Sequence, residues 1–228
     1  MPDAKRIKWV DLAKGFAILL VIAGHTIGYP KDPTNQKIIR GLIYSFHMPL
    51  FFLLSGYTYR SSSSKEQLIS GLKRSAKRLL LPAYILWLAL TLFEWLSGKA
   101  AYPYSLFQLG LSALFACAIP LQINDIVIPL FGFMWFSAAL FVLKNLYDFL
   151  NYILKGRFMT LASILISVAG ALIGKTFFLP FGIDIAMASM IFYHIGRLLK
   201  EKDVRLSAPK FAVMFFIWTG AFYRIFCI

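Results

Sequence analysis

Residues 9–29 read WVDLAKGFAILLVIAGHTIGY, a run that is long and apolar enough to cross a lipid bilayer as one helix. A helix rises about 1.5 Å per residue, so roughly 20 apolar residues cover the hydrocarbon core of a membrane. Basic residues precede the run, but it contains no clear A-x-A cleavage site, and many further apolar runs follow. The pattern therefore predicts an uncleaved first membrane helix and not a removable signal peptide.

Further apolar runs are spread over the rest of the chain, and they set the predicted fold. Residues 106–119 form an apolar run that is short and ends at Pro120, so we interpret it as a re-entrant or interfacial segment. The predicted fold class is all-α, a polytopic transmembrane helix bundle of about seven spans plus this segment. The predicted spans are residues 9–29, 38–59, 79–96, 128–146, 158–173, 179–199 and 211–226.

The composition excludes a soluble protein. Of the 228 residues, 59% are hydrophobic and only 15% are charged, whereas a soluble domain carries about 25% charged residues. The formal net charge is +14, from 24 Lys and Arg against 10 Asp and Glu. Because these basic residues lie between apolar runs, they indicate membrane topology and attraction to anionic lipids of the bilayer, and we expect no nucleic-acid partner.

The basic residues also predict the orientation of the chain. Most of them precede the first span or fall in residues 60–78, in a segment that begins at Lys144, and in residues 197–210. If residues 106–119 do not span, these four segments share one side, and membrane proteins keep Lys and Arg on the cytoplasmic side. We expect a multi-pass protein of the inner (plasma) membrane with a cytoplasmic N-terminus. This topology places Lys155 inside, and Lys99 and Lys175 outside.

Ionisable residues within a membrane helix cost free energy, so each of them requires a reason. The first span contains Asp11, Lys14 and His25. Lys14 and His25 are eleven residues apart, close to three helical turns, so they share a helix face about 16 Å apart. An ion pair between Asp11 and Lys14 at the membrane surface explains the presence of these two residues equally well. His25 is either an interfacial histidine bonded to backbone or headgroup, or a functional group.

The second span adds another histidine, beside a proline. Pro49 has no N–H group, so we expect a kink next to His47. A short predicted outer loop makes the first two spans antiparallel neighbours, so His25 and His47 can approach one cavity. Two embedded histidines near one kink favour a functional site over coincidence.

Asp184 lies near the outer end of a later span, at a depth similar to that of His25. It is a candidate to orient the His25 imidazole, and the alternative is a carboxylate favoured by the helix dipole at the N-terminus of its own helix. His194 lies near the cytoplasmic end and is interpreted as structural. The histidines are scattered and no carboxylates are paired, so no metal site is predicted.

Several stretches resemble the acyltransferase family 3 membrane proteins. Residues 11–25, DLAKGFAILLVIAGH, are similar to the first helix of that family, and residues 46–57, FHMPLFFLLSGY, are similar to its second. Residues 73–82, KRSAKRLLLP, resemble the basic start of its third helix. Residues 134–141 and 184–200 are similar to the branch related to fucose 4-O-acetylase. The resemblance covers nearly the whole chain.

The resemblance implies transfer of an acyl group, often acetyl, from a cytoplasmic acyl-CoA to a hydroxyl of a glycan or sugar-like acceptor. The histidine regarded as catalytic in the family corresponds to His25, and the basic position eleven residues earlier, often arginine, is Lys14 here. Lysine keeps the charge but lacks the two-pronged guanidinium. We assign Asp184 to the same catalytic group, and His47 and Trp135 to acceptor binding.

CoA phosphates require cationic contacts, and the candidates are Arg74, Lys77 and Arg78. The alternative explanation of this cluster is the topology signal alone. His25 is predicted to lie towards the opposite membrane face, so the thioester must reach through the protein or the acyl group must be relayed.

Residues 1–228 are interpreted as a single transmembrane acyltransferase domain, and we expect it to be incomplete at the C-terminus because family members commonly have more helices. Two other functions remain open. One is a transporter or flippase of glycan-linked lipids that uses the histidines as a proton relay. The other is a truncated, non-catalytic membrane protein.

Overall fold

The structure is a computed structural model, and it describes residues 7–26, 34–98, 104–116, 120–123, 126–129 and 131–203. The predicted seventh span, residues 211–226, lies outside the described residues, as does Lys99. The described chain is helical apart from one short hairpin, so the all-α fold class is confirmed. Its helices are α1 (Lys8–Thr26), α2 (Thr34–Tyr57), α3 (Lys65–Ser75), α4 (Leu81–Leu96), α5 (Leu106–Phe115), α6 (Trp135–Leu154), α7 (Met159–Ile173), α8 (Ile183–Ala188) and α9 (Met190–Glu201).

The chain divides into two compact units. Unit 1 comprises residues 1–59 and 192–228, and unit 2 comprises residues 60–191. In unit 1 the ring of Trp9, at the start of α1, meets the ring of Tyr57, at the end of α2, edge-on at 4.6 Å. The two helices therefore run antiparallel, as expected. Their shared core consists of Val10, Ala17, Phe46, Leu50, Leu53, Leu54 and Tyr57.

Two glycines bring α9 into direct contact with the backbone of α2. A Cβ atom on Gly196 would lie 1.9 Å from the carbonyl oxygen of Leu53, and one on Gly56 would lie 1.9 Å from the carbonyl oxygen of Tyr193. No side chain fits at such distances, so only glycine permits this approach. The contact fixes the C-terminal part of α9 within unit 1.

In unit 2, residues 65–96 form one continuous helix of 32 residues, where the sequence had suggested a cytoplasmic loop followed by a span. Ser64 begins it by accepting a hydrogen bond from the N–H of Gln67. Residues 76–80 form a π-helical turn, in which the N–H of Leu81 reaches the carbonyl of Ala76. Pro82 follows directly and lacks an N–H, so the wider turn lies where an ordinary helical bond would be missing.

The predicted fourth span, residues 128–146, is displaced in the structure. Ile128 ends a two-stranded antiparallel hairpin of β1 (Leu121–Ile123) and β2 (Ile126–Ile128). Pro129 holds the preceding residue extended, and Gly132 adopts a left-handed conformation with φ of 71°, so α6 begins only at Trp135. The helix then continues to Leu154. Lys144, which we had placed in a cytoplasmic segment, therefore lies in the middle of a helix.

Two further segments depart from uninterrupted spans. α5 has only ten residues and ends at Ala116 in a left-handed conformation, so it is too short to cross a membrane as a helix. The predicted sixth span is a 3₁₀ turn (Pro180–Gly182) followed by α8 and α9, with a break at Ser189.

Among the described residues, α1 and the continuous helix of residues 65–96 are long and apolar enough to cross a membrane. The broken segment of residues 180–201 makes a third if it is counted as one span. These helices fit a membrane protein. The number of seven spans stays a prediction.

Candidate functional site

α1 carries Lys14 and His25 on one uninterrupted helix, so their predicted separation of about 16 Å along the axis applies. Lys14 is half-buried, whereas His25, in the last turn of the helix, is exposed. Gly24 beside it is buried. The His25 imidazole is therefore accessible from outside unit 1.

His47 has the opposite environment, with only 3% of its surface exposed. Its Nδ1 atom lies 2.6 Å from the carbonyl oxygen of Ile43, one turn earlier in α2. A carbonyl oxygen can only accept a hydrogen bond, so Nδ1 carries a proton. In the neutral ring, Nε2 is then the nitrogen that accepts a proton or a hydrogen bond. The backbone of α2 therefore selects the tautomer of His47.

The antiparallel pair α1–α2 brings the two histidines near each other. The two imidazoles lie within electrostatic range of each other. His25 lies sixteen residues beyond Trp9, and His47 lies ten residues before Tyr57. From the Trp9–Tyr57 contact, the two rings are offset by roughly 9 Å along the helix axis.

His194 lies in the part of α9 that belongs to unit 1, and it is buried. Around it, Arg197 donates to Glu201 at 2.7 Å and lies over the ring of Tyr59 at 5.7 Å. The ammonium group of Lys200 donates to the carbonyl oxygen of Tyr59. The contacts of Arg197 and Lys200 with Tyr59 tie α9 to the end of α2. The structural role expected of His194 stays a prediction.

Asp184 belongs to unit 2. It is buried in the first turn of α8 and accepts a hydrogen bond from the N–H of Leu179 at 3.3 Å. This bond closes the turn that leads into α8, so the carboxylate has a local structural role. Because His25 belongs to the other unit, the orienting role of Asp184 stays a prediction.

Trp135 is the first residue of α6, and it is half-buried. Its ring stands edge-on to that of Phe136, with centroids 6.1 Å apart. Its predicted part in acceptor binding stays a prediction.

The basic cluster predicted for CoA lies on one helical stretch, with Arg74 at the end of α3 and both Lys77 and Arg78 in the π-helical turn. All three side chains are exposed. The charges of Arg74 and Arg78 act on Lys144, a half-buried residue of α6 that the sequence analysis did not include in the site. Lys144 could have been identified from the sequence, because a lysine in the middle of a mainly apolar run is unusual.

A groove of about 440 Å³ runs between α3 and α6. Leu68, Leu72 and Phe149 give the groove an apolar lining, and Lys65 and Tyr152 add polar groups to it. This volume lies within the range of small-molecule sites, about 300–1,000 Å³. Among the described residues there is no group of three or more side chains that could hold a metal ion.

The apolar helices, α1 and residues 65–96 among them, define a helical membrane protein. A family model, the acyltransferase domain of family 3, matches residues 7–228. The chain therefore belongs to the acyltransferase family 3, whose members are membrane proteins.

Two curated relatives are nodulation proteins NolL. The protein from Mesorhizobium japonicum is 31% identical over 137 residues, which is 58% of this chain and 34% of the relative. The protein from Sinorhizobium fredii is 27% identical over 149 residues, which is 64% of this chain and 37% of the relative. The match thus spans about a third of these curated relatives. No solved structure gives a significant match.

Proposed function

We propose that this chain carries the site of a membrane O-acyltransferase that moves an acyl group, in the first instance acetyl, from acyl-CoA to a hydroxyl of a glycan or sugar-like acceptor. Membership of the acyltransferase family supports the reaction class. The observation that carries the proposal is the antiparallel packing of α1 on α2, which places the exposed His25 and the buried His47 in the same part of unit 1.

The proposed reaction needs a base and a leaving group. The acceptor hydroxyl oxygen attacks the thioester carbonyl carbon while His25 removes the hydroxyl proton, as a histidine can near neutral pH. A C–O bond forms, the C–S bond breaks, and the CoA thiolate takes up the proton to leave as the free thiol. Nε2 of His47 accepts a hydrogen bond from an acceptor hydroxyl, and its fixed tautomer supports that role.

The other predicted residues take supporting parts. Lys14 supplies positive charge on the His25 helix, Asp184 orients the His25 imidazole, and Trp135 contacts the acceptor. Exposure of the basic cluster supports its role in binding the phosphates of CoA, because a soluble donor has to reach it. The members of that cluster are Arg74, Lys77 and Arg78.

The proposed setting is the inner (plasma) membrane, with seven spans and a cytoplasmic N-terminus. The distribution of Lys and Arg supports this orientation. It keeps the basic cluster on the side where acyl-CoA is found.

A transfer assay tests the proposal. Purified protein in detergent would receive acetyl-CoA labelled in the acetyl group and a panel of sugar acceptors, and label on the acceptor would be measured together with released thiol. Label on an acceptor, lost in His25→Ala, supports an acyltransferase. A second measurement uses the protein in lipid vesicles with a glycan-linked lipid. Movement of that lipid across the bilayer, with no label transferred in the first assay, would instead identify a transporter.

A further inference from the structure

The junction of α3 and α6 in unit 2 is held by polar side chains. Asn145 donates from Nδ2 to Ser75 Oγ at 3.0 Å, and Ser75, which is buried, donates to the carbonyl of Leu72 at 2.9 Å. One turn further along α6, the carboxylate of Asp148 accepts from the N–H of Ser62 at 3.0 Å and from its hydroxyl at 2.6 Å. These bonds fix the register of the two helices.

This register brings basic residues from two helices together. Arg74 precedes Ser75 on α3, and Lys144 precedes Asn145 on α6. Arg78 lies four residues after Arg74, so it occupies the same face one turn further on. The charges of Arg74 and Arg78 both act on Lys144. Three basic residues therefore lie near the bond between Ser75 and Asn145.

The tendency of Lys and Arg to lie in cytoplasmic segments needs no particular contacts. Lys144 is instead half-buried, midway along the 20 residues of α6 and next to the Asn145 that bonds to Ser75.

Among the described residues, the charges near Lys144 are mostly positive. Of the charged groups that act on Lys144, Asp148 is negative, and Arg74 and Arg78 are positive. Both oxygens of Asp148 also accept bonds from Ser62. Positive charge is therefore in excess among these groups, and an anion with more than one charge would offset it.

We propose that Arg74, Arg78 and Lys144 form a phosphate-binding site at the junction of α3 and α6, with Lys144 in direct contact with the ligand. Guanidinium groups bind two phosphate oxygens at once, and an ammonium group adds a point charge. The proposal deepens the proposed function, on which the choice of CoA as ligand rests. The same chemistry would bind the phosphate of a lipid headgroup.

Binding of CoA to the purified full chain in detergent tests the proposal without any turnover. The variant is Lys144→Gln, and the matched control is Lys73→Gln, which removes one exposed positive charge from the neighbouring position on α3. We expect Lys144→Gln and Arg78→Gln each to raise the Kd for CoA about tenfold, the effect of one charge-assisted hydrogen bond. Lys73→Gln should stay within about twofold of the parent.

Two further ligands identify which phosphate is bound. Dephospho-CoA lacks the 3′-phosphate, so weaker binding of it that is insensitive to Lys144→Gln would place Lys144 at that phosphate. Equal sensitivity would place Lys144 at the diphosphate. A nanodisc of phosphatidylcholine with added phosphatidylglycerol tests the lipid. Retention of phosphatidylglycerol that is lost in Lys144→Gln, without CoA binding, would support the site with a lipid as its ligand.

The outcomes separate this proposal from the proposed function. CoA binding that depends on Lys144, in a protein without acyl transfer, supports the phosphate site and contradicts the enzyme. Acyl transfer with an unchanged Kd for CoA in Lys144→Gln supports the enzyme and overturns the phosphate site. A protein that binds neither CoA nor phosphatidylglycerol also overturns the phosphate site. If Lys144→Gln fails to fold, Lys144→Met provides the same test, because it keeps an apolar stem in the half-buried position and removes only the charge.

Discussion

Nδ1 of His47 donates a hydrogen bond of 2.6 Å to the carbonyl oxygen of Ile43. Because Nδ1 makes this bond, the roles of the two ring nitrogens can be tested separately by mutation. Asparagine places its amide nitrogen near the position of Nδ1, and glutamine places its amide nitrogen near that of Nε2. If Nε2 binds the acceptor, His47→Asn keeps the bond to Ile43 but loses the contact with the acceptor.

For His47→Asn we therefore expect a KM for the acceptor about tenfold higher, the effect of one hydrogen bond worth roughly 1.4 kcal/mol, with little change in Tm. His47→Gln should lower the Tm instead, because the buried bond to Ile43 is lost. Steady-state kinetics and thermal unfolding in detergent measure the two effects. An Asn variant with an unchanged KM but a lower Tm would restrict His47 to a structural role.

His25→Ala should reduce acyl transfer by about 10²–10⁴-fold, the range of a general base. Because His25 is exposed, membrane insertion, Tm and CoA binding should change little. Thr26→Ala is a suitable control, since the Thr26 hydroxyl bonds only to carbonyls of its own helix, those of Ile22 and Ala23, among the contacts described. Full turnover in His25→Ala would exclude the proposed mechanism.

Asp184→Asn separates an orienting carboxylate from a structural one. The amide oxygen can still accept from the N–H of Leu179, so the turn before α8 should persist and the Tm should hold. If the charge of Asp184 orients His25, kcat should fall roughly tenfold, as expected for one charge-assisted hydrogen bond worth about 1.5 kcal/mol. Unchanged turnover in Asp184→Asn, with a lower Tm in Asp184→Ala, would leave Asp184 only its bond to Leu179.

Gly196→Ala should destabilise the protein by about 1–3 kcal/mol, because the new methyl group meets the carbonyl oxygen of Leu53 and forces α9 away from α2. Gly15→Ala is the matched control, since a Cβ atom there has nothing within 4 Å. In the interior of a helix this control should be neutral or stabilising by up to about 1 kcal/mol. Thermal unfolding in one detergent compares the two. Equal Tm values would contradict the close contact of α2 with α9.

The topology can be tested with single cysteines in a chain whose own Cys117 and Cys227 have been replaced. Lys155→Cys and Lys175→Cys place the probe at exposed positions on either side of α7. A membrane-impermeant thiol reagent applied to intact cells should label position 175 but not position 155, which should react only after permeabilisation. Labelling of position 155 in intact cells would overturn the proposed orientation.

The candidate residues on α1 and α2 and the pairing of these helices could be predicted from the sequence, because the signals are local. The ionisable residues His25 and His47 stand out in apolar helices, and a short connection makes those helices neighbours. The start of α3 could also have been found, since Ser64 and Gln67 have the spacing of a helix N-cap. The end of α6 was misplaced because polar residues in the middle of that helix resemble a loop in a hydropathy pattern.

The sequence by itself determined that this is an apolar, helical membrane protein with the motifs of its family, because hydropathy and short motifs are properties of consecutive residues. Only the tertiary structure decided which helix faces meet. The bond between Ser75 and Asn145 joins residues 70 positions apart and brings Lys144 to Arg74. The close approach of Gly196 to the carbonyl oxygen of Leu53 likewise joins residues far apart in the sequence. Such contacts depend on the packing of distant segments, which no local pattern records.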